Sequence, residues 1–270
     1  MDPAPPFISK RALGDLLQRL RGEAAMSVAE AASELDVDRD TVRRWETGAH
    51  VPKKSALEHL GRLYGASADE VRHLVKLSRD SKRPGLWEGA DVPQQMRQLY
   101  ESEPAAESIQ TLELALIPGL LQTPEYHLAS QEVELVLPPE RAGSARRVRE
   151  RRQSEVFGLE SPPKMTFIMA AAALQNLSNH PGVGPGQVAR LREVNAMERA
   201  EVLVLHGCLH AGMVGSFTIV HPPEGLARPF VYVESVDGGR YVEDRDVVFS
   251  YTRTFDLVRA SAIPLEEYLT

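Results

Sequence analysis

Apolar residues in the first eighty positions recur every three or four residues, which is the period of an amphipathic helix. The first apolar stripe begins at Leu13, and four more follow with short polar segments between them. The stripes consist of Leu13, Leu16, Leu17 and Leu20; Val28, Ala31, Ala32 and Leu35; Val37, Val42 and Trp45; Leu57, Leu60, Leu63 and Tyr64; and Val71, Leu74 and Val75. The pattern predicts an all-α domain of five short helices over residues 8–82.

Polar residues mark the ends of these helices. Ser27 and Ser67 are each followed three residues later by a glutamate, which is the pattern of a capping box, and Asp38 is a good N-cap for the third helix. Gly48 is expected to end that helix. The turn before it is only three or four residues long and contains Asp36, which tolerates positive φ better than most residues. The second and third helices are therefore predicted to be joined by a tight turn.

Beyond a polar boundary at residues 78–93 the pattern becomes mixed. The predicted helices are about 95–116, 124–136, 138–158, 184–199 and 244–261, and the predicted strands are 165–170, 201–207, 216–222 and 229–235. Asp237-Gly238-Gly239 marks a tight turn after the last strand. Because helices come first and a small sheet follows, we predict an α+β domain over residues 86–270.

Charge is distributed unevenly along the 270 residues, whose net charge is −7. Residues 1–85 hold 15 Lys/Arg and 13 Asp/Glu, a balance of +2, whereas residues 86–270 hold 16 and 25, a balance of −9. A slightly basic head on an acidic body fits a head that contacts phosphate, although the net charge alone argues against nucleic acid.

The cellular compartment follows from cysteine usage and hydropathy. The single cysteine, Cys208, excludes an internal disulfide, and the first ten residues lack the apolar core of a signal peptide. The longest apolar run, at about 165–174, is much shorter than the roughly 20 residues that span a bilayer. We therefore expect a cytoplasmic protein without a membrane partner, associated with the nucleoid when it binds DNA.

Residues 10–80 resemble the XRE-type helix-turn-helix domain of phage-repressor-like regulators. The resemblance rests on LGDLLQRLR, on SVAEAASELDVDRDTVRRWETG, and on the following VP with the leucine-rich fourth helix. It implies binding to double-stranded DNA and a structural ion pair between Arg21 and Glu46. The family often has glutamine where this chain has Val28, so a phosphate contact there falls to Ser27 or to a backbone N–H.

The third helix carries the candidate DNA contacts, because its apolar side faces the bundle and its polar side is left for the major groove. The candidates for base contact are Arg39, Asp40, Thr41, Arg43 and Arg44, and the candidates for phosphate are Ser27, Lys53 and Lys54. Arginine donates two parallel hydrogen bonds to guanine, and Thr41 suits a base edge or a thymine methyl. Asp40 either accepts from cytosine or orients a neighbouring arginine. The alternative is that these arginines are only a solvated helix face.

A second resemblance covers nearly all of residues 86–270. The segment IPGLLQTPEYHLA, residues 117–129, is similar to the signature of an uncharacterised domain found behind XRE heads in actinobacterial regulators, including the WhiJ-type developmental regulators. VRERRQ, QVARLREV, GSFTIV and VYVE support it, whereas residues 170–177 lack an acidic residue that the family usually has. The resemblance implies a one-component regulator whose rear domain receives a signal or binds a small protein encoded nearby, and it implies no enzyme. The proline-rich segment could equally be a packing corner.

The sequence contains no assembled catalytic set. No G-x-S-x-G or H-E-x-x-H occurs, and GVGPG at 182–186 lacks the Lys-Ser/Thr of a phosphate loop. His206-x-Cys208-x-His210 has metal-ligand residue types, but in a strand its outer members would lie roughly 13 Å apart. We therefore predict no metal, no cofactor and no enzymatic activity.

One helix of the acidic rear domain is rich in arginine, and Arg149, Arg152 and Gln153 fall near one face of it. Three interpretations compete: a solvated face, an anion or partner site, and a second DNA contact. Since a positive cluster is exceptional in this domain, we expect an anionic or acidic surface to dock there.

Together these patterns predict a dimeric, sequence-specific transcriptional regulator that binds an inverted repeat. A small-molecule effector or a partner protein would act on the rear domain, which would also supply most of the dimer contact. The alternative is an antitoxin-like protein that mainly binds a partner and regulates its own gene through the helix-turn-helix domain.

Overall fold

A computed structural model describes residues 4–134, 139–207, 210–235 and 238–270. The chain divides into two compact units. The N-terminal unit comprises residues 1–88 and 222–228, and the C-terminal unit comprises residues 89–221 and 229–270.

Residues 4–88 form five helices, which confirms the predicted all-α head. They are α1 (Pro6–Glu23), α2 (Val28–Glu34), α3 (Arg39–Glu46), α4 (Lys54–Leu63) and α5 (Ala68–Asp80). The apolar stripes meet in one core whose buried members include Leu13, Leu17, Leu20, Ala31, Ala32, Val42, Leu57, Leu60 and Leu74. Each helix is thus held by the face that its three- and four-residue spacing creates.

The helix ends follow the predicted local chemistry, with one exception. Ser27 and Ser67 each form a complete capping box with the glutamate three residues later. Asp36 has a φ of 52° in the turn between α2 and α3, and Gly48 has a φ of 69° just after α3. Asp38 occupies the N-cap position of α3, but its side chain makes no capping hydrogen bond.

The N-terminal unit also takes in residues 222–228. Leu226 and Ala227 pack against its core. The Arg228 side chain donates to the Asp15 carboxylate, over 2.5 Å from Nε, and to the Gln18 side-chain oxygen over 2.6 Å. These contacts fasten residues from late in the sequence to α1.

The described part of the C-terminal unit contains a seven-stranded mixed sheet of order β6-β5-β4-β1-β2-β3-β7. The strands are β1 (Ser108–Glu113), β2 (Lys164–Ala170), β3 (Ala200–Leu205), β4 (Phe217–His221), β5 (Phe230–Ser235), β6 (Gly238–Val242) and β7 (Ile263–Pro264). Its helices are α6 (Gln94–Ser102), α7 (Pro124–Glu134), α8 (Pro139–Phe157), α9 (Ala171–Gln175), α10 (Gly184–Asn195), α11 (Arg245–Arg259) and α12 (Leu265–Tyr268). Strands β1, β2 and β3 are parallel, and the other pairings are antiparallel. The α+β prediction is confirmed.

The sheet is larger than the small one predicted, mainly because the segment 95–116 is not a single helix. Helix α6 ends at Ser102, Pro104 follows, and Ser108–Glu113 is the central strand of the sheet. Strands β6 and β7 were not predicted either, and Asp237 of the predicted turn lies outside the described residues.

Both faces of the sheet are covered. One face packs Phe167, Val202 and Val204 with Leu191 and Val194 of α10. The opposite face packs Ile168, Ile219 and Val231 with Phe255 and Val258 of α11. Burial on both faces makes β2 and β3 nearly continuous runs of buried residues rather than alternating ones.

Candidate functional site

Helix α3 is attached to the N-terminal unit by one side. Val42 is fully buried, and Val37 and Trp45 are half-buried against the same core. At its C-terminal end the Glu46 carboxylate accepts two hydrogen bonds from Arg21, from Nε over 2.6 Å and from the terminal nitrogen over 2.9 Å. This pair is the predicted one, and the bond to Glu46 raises the pKa of Arg21. The opposite side of α3 therefore faces away from the core of the unit.

The presented side carries the predicted base-contact residues. Arg39, Asp40, Arg43 and Arg44 are exposed, and Thr41 is half-buried. All five line a shallow groove between α2 and α3. The Arg43 guanidinium donates to the Asp40 carboxylate over 3.2 Å, so Asp40 holds a neighbouring arginine in the unbound protein.

Two arginines on this surface have no charged partner. Within the residues that the structure describes, neither Arg39 nor Arg44 forms an ion pair or a side-chain hydrogen bond. Both guanidinium groups therefore keep all their donors for a ligand, and the fork of donors matches a guanine edge or a phosphate.

The predicted phosphate contacts lie at the starts of α2 and α4. Lys53 is the N-cap residue of α4 and Lys54 its first residue, and both are exposed. Lys54 faces Glu58 across 3.6 Å in a solvated pair, which stabilises little. The Ser27 hydroxyl accepts from the Glu30 N–H, so its own proton stays available to donate. These positions suit anion contact, because helix N-termini attract negative charge.

The C-terminal unit contains a cavity of about 70 Å³ between the sheet and its covering segments. Strands β1, β4 and β5 form its base, and α6, α8 and the residues after β1 enclose it. The residues that line it are Met96, Leu99, Tyr100, Thr111, Glu113, Pro118, Gly119, Leu120, Arg152, Phe167, Ser216, Phe217, Thr218, Tyr232 and Glu234. Most of these lining residues have polar or aromatic side chains, unlike the apolar cores on either side of the sheet.

A buried ion pair forms one wall of the cavity. The Arg152 guanidinium donates to both oxygens of Glu103, over 2.7 and 2.6 Å, and it lies 4.1 Å from the centre of the Tyr100 ring. Glu103 is 1% exposed and Arg152 is 8% exposed. Burial alone would lower the pKa of Arg152, but the adjacent carboxylate of Glu103 raises it, so the pair stays ionised.

Arg149 and Gln153 lie beside Arg152 on the same helix face and bind the segment 117–129. Arg149 donates to the Gly119 carbonyl over 2.6 Å and bonds the ring of His127 over 3.0 Å. Gln153 donates to the carbonyl of Leu120 over 3.0 Å and to a second carbonyl two residues later. Burial, helped by the two nearby guanidinium groups, lowers the pKa of His127 to about 4, so its neutral ring accepts from Arg149.

The three residues singled out on α8 therefore do not form one exposed patch. The solvated-face interpretation is wrong for them, because each is bonded to groups inside the unit. Only Arg152 lines the cavity. Local spacing placed the three side chains on one face correctly, but it carried no information about what covers that face.

A carboxyl group and a phenol complete the polar lining. Burial raises the pKa of Glu113 to about 7, although a hydrogen bond from Ser216 opposes the shift. Tyr232 is 5% exposed, and among the described residues its buried hydroxyl has no hydrogen-bond partner. Glu113, Tyr232 and Glu103 were all missed from sequence, since Glu113 and Glu103 fell within the segment predicted to be one helix.

Two family models match the chain. A model described as a helix-turn-helix domain covers residues 12–74, and a model described as domain of unknown function DUF5753 covers residues 96–269, more than half of the chain. The chain belongs to the DUF5753 family. No curated protein and no solved structure matches it.

The matched ranges divide the candidate residues cleanly. The helix-turn-helix match contains all eight predicted DNA contacts, and the DUF5753 match contains the whole lining of the cavity. Among the described residues no cluster of three or more His, Asp or Glu side chains is suited to a metal ion. Cys208 of the predicted His-Cys-His group lies outside the described residues. No described helix has both the length and the apolarity to cross a membrane.

Proposed function

We propose that this protein is a sequence-specific DNA-binding transcriptional regulator of the XRE type, whose DUF5753 domain is a non-catalytic sensing module. The observation that carries the proposal is the presentation of α3. One side of the helix is fixed by Val42 and by the Arg21–Glu46 pair, and the other side offers Arg39 and Arg44, which have no charged partner among the residues that the structure describes. A helix that is anchored in this way, after a tight turn, has the geometry that enters a major groove.

The cavity supports the sensing role of the second domain. A buried polar group without a hydrogen-bond partner is destabilising in a well-packed interior. Polar groups of this kind are typical of ligand pockets, where the ligand supplies the missing hydrogen bond. Effector binding would alter DNA affinity only if the effector bound the DNA-competent and incompetent arrangements with different affinities. The protein would act in the cytoplasm, on the nucleoid.

The readout prediction separates base contacts from phosphate contacts. We expect Arg39→Ala and Arg44→Ala each to weaken binding to the cognate operator by about 1–3 kcal/mol and to relax preference at one base pair. Lys53→Ala and Lys54→Ala should weaken binding to all sequences alike and lower the salt dependence by about one unit, because each releases fewer counterions. Fluorescence anisotropy on operator and on random DNA, after the operator has been selected from a random library, measures both effects.

Arg72→Ala is the matched control, because Arg72 is an exposed arginine on α5 that pairs with Asp69. It should leave both affinities unchanged. Equal losses on operator and random DNA for the two α3 variants would show that α3 is not the reading helix.

The symmetry prediction concerns the operator. One head makes too few contacts for tight specific binding, so we expect a two-fold dimer on an inverted repeat whose half-sites lie about 10 bp apart, or a multiple of that. Inserting about 5 bp between half-sites puts them on opposite faces of the duplex and should reduce affinity to that of a single half-site. An affinity that is independent of this spacing, with one chain bound per duplex by analytical ultracentrifugation, would contradict the dimer.

A further inference from the structure

Helix α11 turns two apolar side chains away from the sheet that it covers. Its inner side, with Val248, Phe255 and Val258, is buried in the core on that face of the sheet. On its outer side Phe249 is 66% exposed and Leu257 is 54% exposed, and the value for Phe249 is the largest among the large apolar side chains that the structure describes. Single exposed apolar residues are ordinary, whereas several on one face are typical of surfaces at which proteins associate.

The same outer face carries one charge of each sign. At 100° per residue, Asp246 and Arg253 lie almost opposite the buried Phe255, and both are exposed. Neither side chain forms an ion pair or a side-chain hydrogen bond with any residue in the described part of the chain. They are seven residues apart, about 10 Å along the axis, so they cannot pair with each other within one chain. Both charges are therefore available to a partner.

The spacing of the outer residues is self-complementary. Asp246 stands three residues before Phe249, and Arg253 stands three residues after Ser250, so the four positions are symmetric about the point between Phe249 and Ser250. When two copies of α11 cross antiparallel at that point, each Asp246 lies opposite the partner's Arg253, because both are about 5 Å along the axis from the crossing. A parallel pair would instead bring like charges together.

The centre of such a crossing also fits in size. Each Phe249 ring would lie over the partner's Ser250, which is small and leaves room for it. The Ser250 hydroxyl already donates to the Asp246 carbonyl of its own helix over 2.9 Å, so covering it leaves no donor without a partner. An aromatic centre with charges around it is the usual composition of a protein interface.

We propose that the outer face of α11 binds the same face of a second copy of this chain, with the two helices antiparallel about a two-fold axis between Phe249 and Ser250. A second copy fits better than a different protein, because this one face supplies both members of each ion pair in symmetric positions. The proposal rests on the proposed function in taking the protein as a dimer, and it assigns the dimer contact to one helix of the DUF5753 domain.

The first test is sedimentation equilibrium of the full-length protein, without DNA, across the micromolar range of concentration. We expect the wild type to dimerise and Phe249→Asp to raise the dimer Kd at least about thirtyfold, because it removes the central aromatic side chain and puts a charge in its place. Val247→Asp is the matched control, since Val247 is 42% exposed but points to the side of α11. It should change the Kd by no more than about twofold. Far-UV circular dichroism checks that both variants are folded.

A charge exchange tests the direct contact between the two helices. Asp246→Arg or Arg253→Asp alone places like charges opposite each other twice in the dimer, and each should raise the Kd about tenfold. The double variant restores opposite charges at both positions and should bring the Kd back close to that of the wild type. Damage to the helix itself would accumulate in the double variant rather than cancel.

A wild type that stays monomeric throughout this range would overturn the proposal. So would a folded Phe249→Asp variant that dimerises like the wild type, or a double charge variant that dimerises more weakly than both single ones. The proposed function is tested separately, by operator binding. Specific binding by a dimer that tolerates Phe249→Asp would retain the regulator and remove this interface. A dimer that depends on Phe249 but shows no sequence preference on DNA would do the reverse.

Discussion

Replacing Arg152 by methionine should lower the free energy of unfolding of the C-terminal unit by about 3–5 kcal/mol. Removal of one partner of a buried ion pair leaves the other charge without compensation, and Glu103 is 1% exposed. The substitution also removes the guanidinium that lies over Tyr100. Urea denaturation followed by far-UV circular dichroism measures the change. Tryptophan fluorescence would report on the wrong unit, because both tryptophans, Trp45 and Trp87, belong to the N-terminal unit.

Two further variants identify the cause of that loss. Arg151→Gln alters the adjacent arginine, whose pairing with Glu155 is solvated, and should cost less than about 0.5 kcal/mol. The double variant Glu103→Leu with Arg152→Met replaces both charges by apolar groups and should recover most of the stability. A loss in Arg152→Met no larger than that in Arg151→Gln would mean that the buried pair contributes nothing to stability.

The second large effect is expected at Gly14, where α1 passes close to the end of α3. A Cβ atom at this position would lie within van der Waals overlap of the Glu46 carbonyl, so Gly14→Ala must push α1 and α3 apart. We expect a loss of about 3 kcal/mol in the free energy of unfolding, at the upper end of overpacking costs. Because the shift moves α3, operator affinity should fall even at temperatures where the protein is folded.

Gly22 provides the matched control on the same helix. A Cβ atom there meets nothing within 4 Å, so Gly22→Ala should stabilise α1 by up to about 1 kcal/mol through the better helix propensity of alanine. Tryptophan fluorescence during denaturation reports on both variants, since Trp45 packs against the core of the same unit. A stabilised Gly14→Ala variant would be incompatible with the close approach of the two helices.

The N-terminal unit was predicted closely because the sequence signals that determine its helices and turns act over only a few residues. Stripes at three- and four-residue spacing, the two capping boxes and the aspartate in the turn all act within a few residues, and the structure has each of them. The Arg21–Glu46 pair joins distant positions, and it came from the resemblance to a family rather than from the pattern.

The C-terminal unit was predicted less well because its decisive contacts are not local. Strand β1 has neighbours on both sides and is covered on both faces, so it lacks the alternation that marks a half-buried strand. Its apolar positions fitted a helical period equally well, and Pro104 was the only local signal of a break. The cavity was not predicted for the same reason, because Thr111 and Glu113 of its lining lie on that strand.

The central position of β1 also governs the order in which the protein can fold during synthesis. Ser108 pairs with Lys164 on one side and with His221 on the other, so β1 leaves the ribosome long before either of its neighbours exists. The five helices need only local contacts and can fold early, whereas pairings between distant residues form slowly. The nascent chain therefore carries β1 without a paired strand until β2 has been made, and the segment that waits for its partners is the one that later forms the base of the cavity.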